Sequence, residues 1–167
     1  ICNERLRVAE DASVLVARAK VLAGLERWDD CLADLDRVLK RSPNAESALA
    51  LRTLVLSEKD DVAAAIQACD KWIRKYPSRH VAWCARAELH NRTGATKKAL
   101  RDINKAIKLE PSTLVYYLVR AYLFQSQGDF QRALADCNHI VERDPDMHEV
   151  WPMRALVNAR LDRFDEA

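Results

Sequence analysis

The sequence predicts an all-α chain built as a stack of two-helix repeats. Three observations carry that prediction. Pro43, Pro77, Pro111 and Pro145 stand 34 residues apart, a regularity that demands an internal repeat. Only 3 glycines and 5 prolines occur in 167 residues, too few for a turn-rich β fold. Within each period, apolar residues recur at helical rather than alternating spacing.

Composition narrows the class. A hydrophobic fraction of 49% is too high for a disordered chain, and a charged fraction of 31% argues against a membrane protein. No run approaches the roughly 20 apolar residues of a spanning helix. The net charge of +2 exerts no global pull on nucleic acid, which is not the expected partner. The first residue is Ile1 and the last falls in mid-pattern, so the chain reads as a piece of something longer.

With proline at place 32, the units are 12–45, 46–79, 80–113, 114–147 and a partial 148–167. Residues 1–11 would be the tail of an earlier unit, although they fit the pattern poorly. Place 7 is always arginine: Arg18, Arg52, Arg86, Arg120 and Arg154. Place 8 is small (Ala19, Thr53, Ala87, Ala121, Ala155), and so is place 20 (Cys31, Ala65, Ala99, Ala133, Ala167). Place 4 is large: Leu15, Leu49, Trp83, Tyr117 and Trp151.

Each unit divides into two helices. Apolar places 4, 8 and 11 form the stripe of the first, and places 17, 20, 21, 24 and 28 that of the second. Gly94 and Gly128 at place 15 allow the first helix to end in a left-handed residue; Glu26, Asp60 and Asp162 replace that glycine elsewhere. Gly24 lies two residues earlier, so a differently shaped turn is expected in the first unit. The place-32 proline stops the second helix. Asn44, Ser78, Ser112 and Asp146 follow and are expected to cap the next helix. Pro152, inside the last first-helix, should make that helix start late or bend. The whole should hold nine helices or slightly more, with hairpin turns of two to four residues.

Small residues at places 8 and 20 let the two antiparallel helices approach closely. Places 7 and 23 then lie near one level. Partly buried ion pairs Arg18–Asp34, Arg86–Asp102 and Arg120–Asp136 are therefore expected. Arg52 faces Ala68 and must find another acceptor, a backbone carbonyl.

Chemistry finds no foothold. Cys2, Cys31, Cys69, Cys84 and Cys137 are odd in number and form no C-x-x-C pair, so they read as small core residues in a reducing, cytoplasmic compartment rather than as a zinc or disulfide framework. His80, His90, His139 and His148 make no metal-ligand spacing, and His90 at place 11 reads as a packed, hydrogen-bonded histidine. There is no phosphate loop, dinucleotide fingerprint or nucleophile elbow. No enzyme, metal or cofactor is expected. Trp28, Trp83 and Trp151 read as packing residues. A basic run on the second helices (Arg37, Lys40, Arg41, Lys71, Arg74, Lys75, Lys97, Lys98, Arg101, Lys105, Lys108) reads first as a solvated face that favours the helix dipoles.

The pattern resembles the tetratricopeptide repeat. The fourth unit carries its motif residues Tyr117, Ala121, Gly128, Phe130, Ala133 and Pro145, and the third carries Trp83, Ala87, Gly94, Ala99, Ala106 and Pro111. Trp72 departs at place 27, which usually holds alanine in that family. The resemblance covers 12–167 and implies a right-handed superhelical solenoid of antiparallel hairpins. It implies a protein-interaction scaffold or adaptor that binds in the concave groove, without catalytic machinery. The carboxylate clamp of the chaperone-tail-binding branch is absent: its places hold Ser13, Ala17, Ser47, Leu51, Val81, Ala85, Val115 and Val119.

In the family the concave face comes from places 2, 5, 9 and 12 of each first helix. Here these places are poor in charge, Lys20, Glu88 and Glu149 being the charged ones. The resemblance therefore implies a largely apolar peptide or helix as partner. It would sit on Val81, Cys84, Val115, Leu118 and Tyr122, with Leu54 extending the patch and Val16, Glu88, Gln125 and Leu156 on the same stripe. The alternatives are self-association or packing against the rest of the same chain, and electrostatic binding through the basic convex face.

Overall fold

The structure, a computed structural model, describes residues 11–43, 45–59 and 61–161. Residues 1–10, Asn44, Asp60, Asp162 and Ala167, named above, lie outside the described residues. Among the described residues the chain forms nine α-helices and no strand. These are α1 Ala12–Gly24, α2 Trp28–Arg41, α3 Glu46–Glu58, α4 Val62–Lys75, α5 His80–Arg92, α6 Thr96–Leu109, α7 Leu114–Ser126, α8 Phe130–Arg143 and α9 Val150–Arg160. None is long and apolar enough to cross a membrane. The chain divides into two compact units, Ile1–Pro77 and Ser78–Ala167.

In the first unit α1 packs on α2, α2 on α3, and α3 on α4. Leu15, Ala19, Leu22, Cys31, Leu35, Val38, Ala48 and Val55 form a continuous buried core. In the second unit α5 to α9 pack in the same succession, and each first helix also touches the next first helix. Its core runs from Cys84 and Ala87 through Ile103, Tyr116 and Leu123 to Val150 and Val157. Ala87 and Ala99, like Ala121 and Ala133, are fully buried, which fits the close approach that places 8 and 20 demand.

The hairpin turns are built alike. Glu26, Gly94 and Gly128 have φ of 56°, 72° and 75°. In each, the next residue's N–H reaches back across the turn: Arg27 to Leu22 O, Ala95 to His90 O, Asp129 to Phe124 O. This is the Schellman closure of a helix C-terminus. The first turn is therefore not differently shaped: Gly24 is the last residue of α1, and Glu26 takes the left-handed role. A side chain there costs about 1 kcal/mol. Gly128→Ala should lose about that much in urea denaturation, although a Cβ at Gly128 would meet nothing within 4 Å. Glu26→Gly should gain a similar amount in the first unit.

The caps after the prolines differ from expectation. Arg79, Thr113 and Glu149 occupy the N-cap positions, and none makes a side-chain cap bond. Ser78 and Ser112 sit one residue too early, because the Pro turn delays the helix to place 1. The Ser112 hydroxyl donates to Glu110 and holds that carboxyl below its usual range. The Asp146 amide donates to Asp144 Oδ1 at 3.1 Å. Side-chain caps appear instead at Asp11, Asp61 and Asp129, which accept from Ser13, Ala64 and Arg132 amides. The last helix starts late: α9 begins at place 3, with Pro152 in its first turn, where an N–H has no intrahelical partner anyway.

Candidate functional site

The first helices hold the recurring polar chemistry. Arg86 meets Asp102 through two bonds of 2.7 and 2.8 Å, and Arg120 meets Asp136 through bonds of 2.8 and 2.7 Å. Arg18 meets Asp34 through the same fork, with Nε to Oδ2 at 2.5 Å. The three aspartates are buried. The bond to Asp136 holds the Arg120 guanidinium above its ordinary range. His90 Nε2 lies 3.8 Å from Asp102, so this histidine belongs to the second unit's polar cluster.

Arginines at place 7 also reach backwards. Arg52 Nε donates to Asp36 at 2.9 Å, Arg120 Nη1 to Asn104 at 2.7 Å, and Arg154 Nε to Asn138 at 2.9 Å. Arg52 therefore uses a carboxylate of the preceding helix and not a carbonyl, because place 25 brings a short acceptor to its level. Sequence reasoning missed place 25, although Asp36, Asp70, Asn104 and Asn138 were all there to be aligned. The arginine heads lie over the place-4 rings, 5.0 Å from Trp83, 5.4 Å from Tyr117 and 5.7 Å from Trp151. Those rings use their own polar tips: Tyr117 OH donates to Pro111 O and Trp151 Nε1 to Pro145 O, both at 3.2 Å.

One tryptophan differs from expectation. Trp151 is 38% exposed, because its indole is turned to the Pro145 carbonyl and away from the core. Trp72, the departure at place 27, is buried.

The stripe expected to face a partner divides by burial. Val115, Tyr122, Leu156 and, in the first unit, Leu54 are exposed. Glu88 is exposed as well, yet crowding by protein atoms pushes its carboxyl pKa up. Val16, Val81 and Gln125 are half-buried. Cys84 and Leu118 are buried in the second unit's core and offer little to a partner. Place 5 is buried in α5 and α7, each of which touches the next first helix, whereas place 9 is exposed in every first helix and place 2 in all but α5. Val115, Tyr122 and Leu156 lie at those places on α7 and α9, which touch each other.

The four described cysteines are buried. Burial and the neighbouring Glu88 push the Cys84 thiol up to about 12, and burial beside Asp136 pushes Cys137 to about 11. At pH 8 the Cys84 thiolate is then roughly one part in ten thousand. Ellman's reagent should titrate Cys84 and Cys137 slowly in the native chain and promptly in urea.

Two tetratricopeptide repeat family models match, one over residues 16–80 and 118–167, the other over 80–113. The chain belongs to the tetratricopeptide repeat family. The fold is thus an all-α helical repeat solenoid, of a family that generally serves as protein-interaction scaffolds and is typically non-catalytic. No curated protein matches it. Among solved structures it is similar to the MamA protein (TM-score 0.74, 15% identity, 93% of this chain and 85% of that one). It is similar to a thermophilic TPR protein in Thermus thermophilus (TM-score 0.74, 19% identity, covering 93% and 86%). YrrB, described as a TPR protein with an unusual peptide-binding site, matches at TM-score 0.67 and 17% identity, covering 99% and 85%. Identities this low establish the fold alone.

Proposed function

We propose that this tetratricopeptide repeat array is a protein-binding module, and that its second unit takes an apolar peptide or helix across α7 and α9. The observation that supports this is the exposure of Val115, Tyr122 and Leu156 at repeat-equivalent places on two touching helices. Water-facing places on a helix are ordinarily polar, and apolar side chains clustered there favour a covering partner. Tyr122 is the anchor: its ring supplies area at low entropic cost and its hydroxyl fixes direction.

The test is a peptide library selected on the native chain. Selected peptides should lose about tenfold or more in affinity for a Val115→Asp, Tyr122→Ala double variant whose circular dichroism is unchanged. Raising salt from about 0.05 to about 0.5 M should change affinity little, because the contact is apolar. Peptides that keep their affinity for the folded variant, or that leave in salt, would move the site to the basic second-helix face.

A further inference from the structure

The second repeat lacks two side chains that its neighbours supply. Arg18, Arg86 and Arg120 each fork onto a buried aspartate at place 23. Arg52 has Ala68 at that place. The third, fourth and fifth repeats also put an aromatic ring at place 4, beneath the arginine head. Leu49 stands there in α3. Both short side chains line a cleft of about 230 Å³ formed by α2, α3 and α4, wholly within the first unit.

The residues of this cleft are short of an acceptor. Arg52 donates Nε to Asp36, whose side chain is 61% exposed, and place 23 offers its Nη groups no carboxylate. Trp72 lines the same cleft and is buried, and its Nε1–H has no hydrogen-bond partner. A buried indole N–H is ordinarily paired, and leaving it unpaired costs free energy. Lys71 and Lys75 line the cleft from α4 and are exposed. With Arg52 they set three cations against the one carboxylate of Asp36.

We infer that this cleft binds a side-chain carboxylate of a partner protein, an Asp or Glu flanked by apolar residues, in place of the aspartate that the second repeat lacks. The carboxylate would accept from the Arg52 Nη groups, in the field of Lys71 and Lys75. Its apolar neighbours would cover Leu39 and Leu49. The size of the cleft favours a side chain, since small-molecule sites run to about 300–1,000 Å³. Arginine against carboxylate is also the pairing that this array already uses in three other repeats. The site shares no residue with the concave clamp positions Ser47 and Leu51 of α3. It lies in a different unit from the face proposed on α7 and α9.

The probe is a pool of N-acetylated, C-amidated peptides with one central Glu among randomised uncharged residues, captured on the native chain and measured by fluorescence anisotropy. Captured peptides should lose about tenfold in affinity when the Glu becomes Gln. They should lose several-fold between about 0.05 and about 0.5 M salt. Ala68→Asp should supply the carboxylate from within. That chain should melt within a few degrees of the native one and bind about tenfold more weakly or worse. Ala68→Asp combined with Arg52→Gln should melt well below both, its aspartate having lost its partner. The Val115→Asp, Tyr122→Ala variant should bind as the native chain does, which separates this site from the one on α7 and α9. The inference is overturned by a pool that yields no Glu-dependent peptide, by equal binding to the Ala68→Asp chain, or by loss of binding in the Val115→Asp, Tyr122→Ala variant. An Ala68→Asp chain that unfolds, or that melts no higher than the double variant, overturns it as well. So does inorganic phosphate that competes at lower concentration than acetate, since the anion would then be a phosphate.

Discussion

Asp136→Ala should destabilise the second unit by about 2–3 kcal/mol. Asp136 is buried and accepts both prongs of the Arg120 fork. Its removal leaves a guanidinium with Asn104 and the Tyr117 and Phe124 rings for company. Breaking a buried pair costs about 3–5 kcal/mol, and the residual exposure of the Arg120 side chain lowers that cost. Asp34→Ala should cost distinctly less, since the Arg18 head is half in water. Replacing both partners, as Arg120→Met with Asp136→Leu, should recover much of the loss. Urea denaturation of the three variants decides the matter; equal losses at Asp34 and Asp136 would show that burial of the arginine is irrelevant.

Leu118→Asp should be more damaging still, at about 4 kcal/mol or more, enough to melt the second unit. The leucine is 9% exposed and sits in the core beside Ala121 and Leu123. The substitution removes its burial and asks a carboxylate to go dry. Tyr122→Ala, four residues on but 47% exposed, should cost under about 1 kcal/mol. Thermal circular dichroism of the two variants checks the contrast. A Leu118→Asp protein that melts like the native chain would place Leu118 in solvent.

That contrast shows where the sequence was legible. Proline spacing and helical periodicity specify the helices found among the described residues and their pairing, because each rests on a backbone rule. The Arg–Asp levels also followed from the spacing, once places 8 and 20 are known to touch. Leu118 and Tyr122 look alike on a helical wheel. What separates them is the neighbouring first helix, and no single-repeat period encodes its angle. The caps failed for a related reason: Ser78 and Ser112 have the right chemistry, but the turn after proline is longer than one residue. Place 25 was readable and went unread, because its Asp and Asn look like ordinary exposed polar residues until the backward reach of the arginines gives them a function.

That reach has a consequence for how such a gene can change. Arg120 bonds a residue 16 positions ahead and another 16 behind, and Arg52 and Arg154 use the backward span. Duplicating the module 114–147 would give both copies of Arg120 an aspartate ahead and an asparagine behind, and deleting it would leave Arg154 with Asn104 in place of Asn138. Losing a single codon inside α6 between Asn104 and Leu109 turns that acceptor by about 100° relative to the rest of the array and strands the charge. Growth and shrinkage of the array are therefore tolerated in whole modules, and frame within the module is held by electrostatics as firmly as by packing.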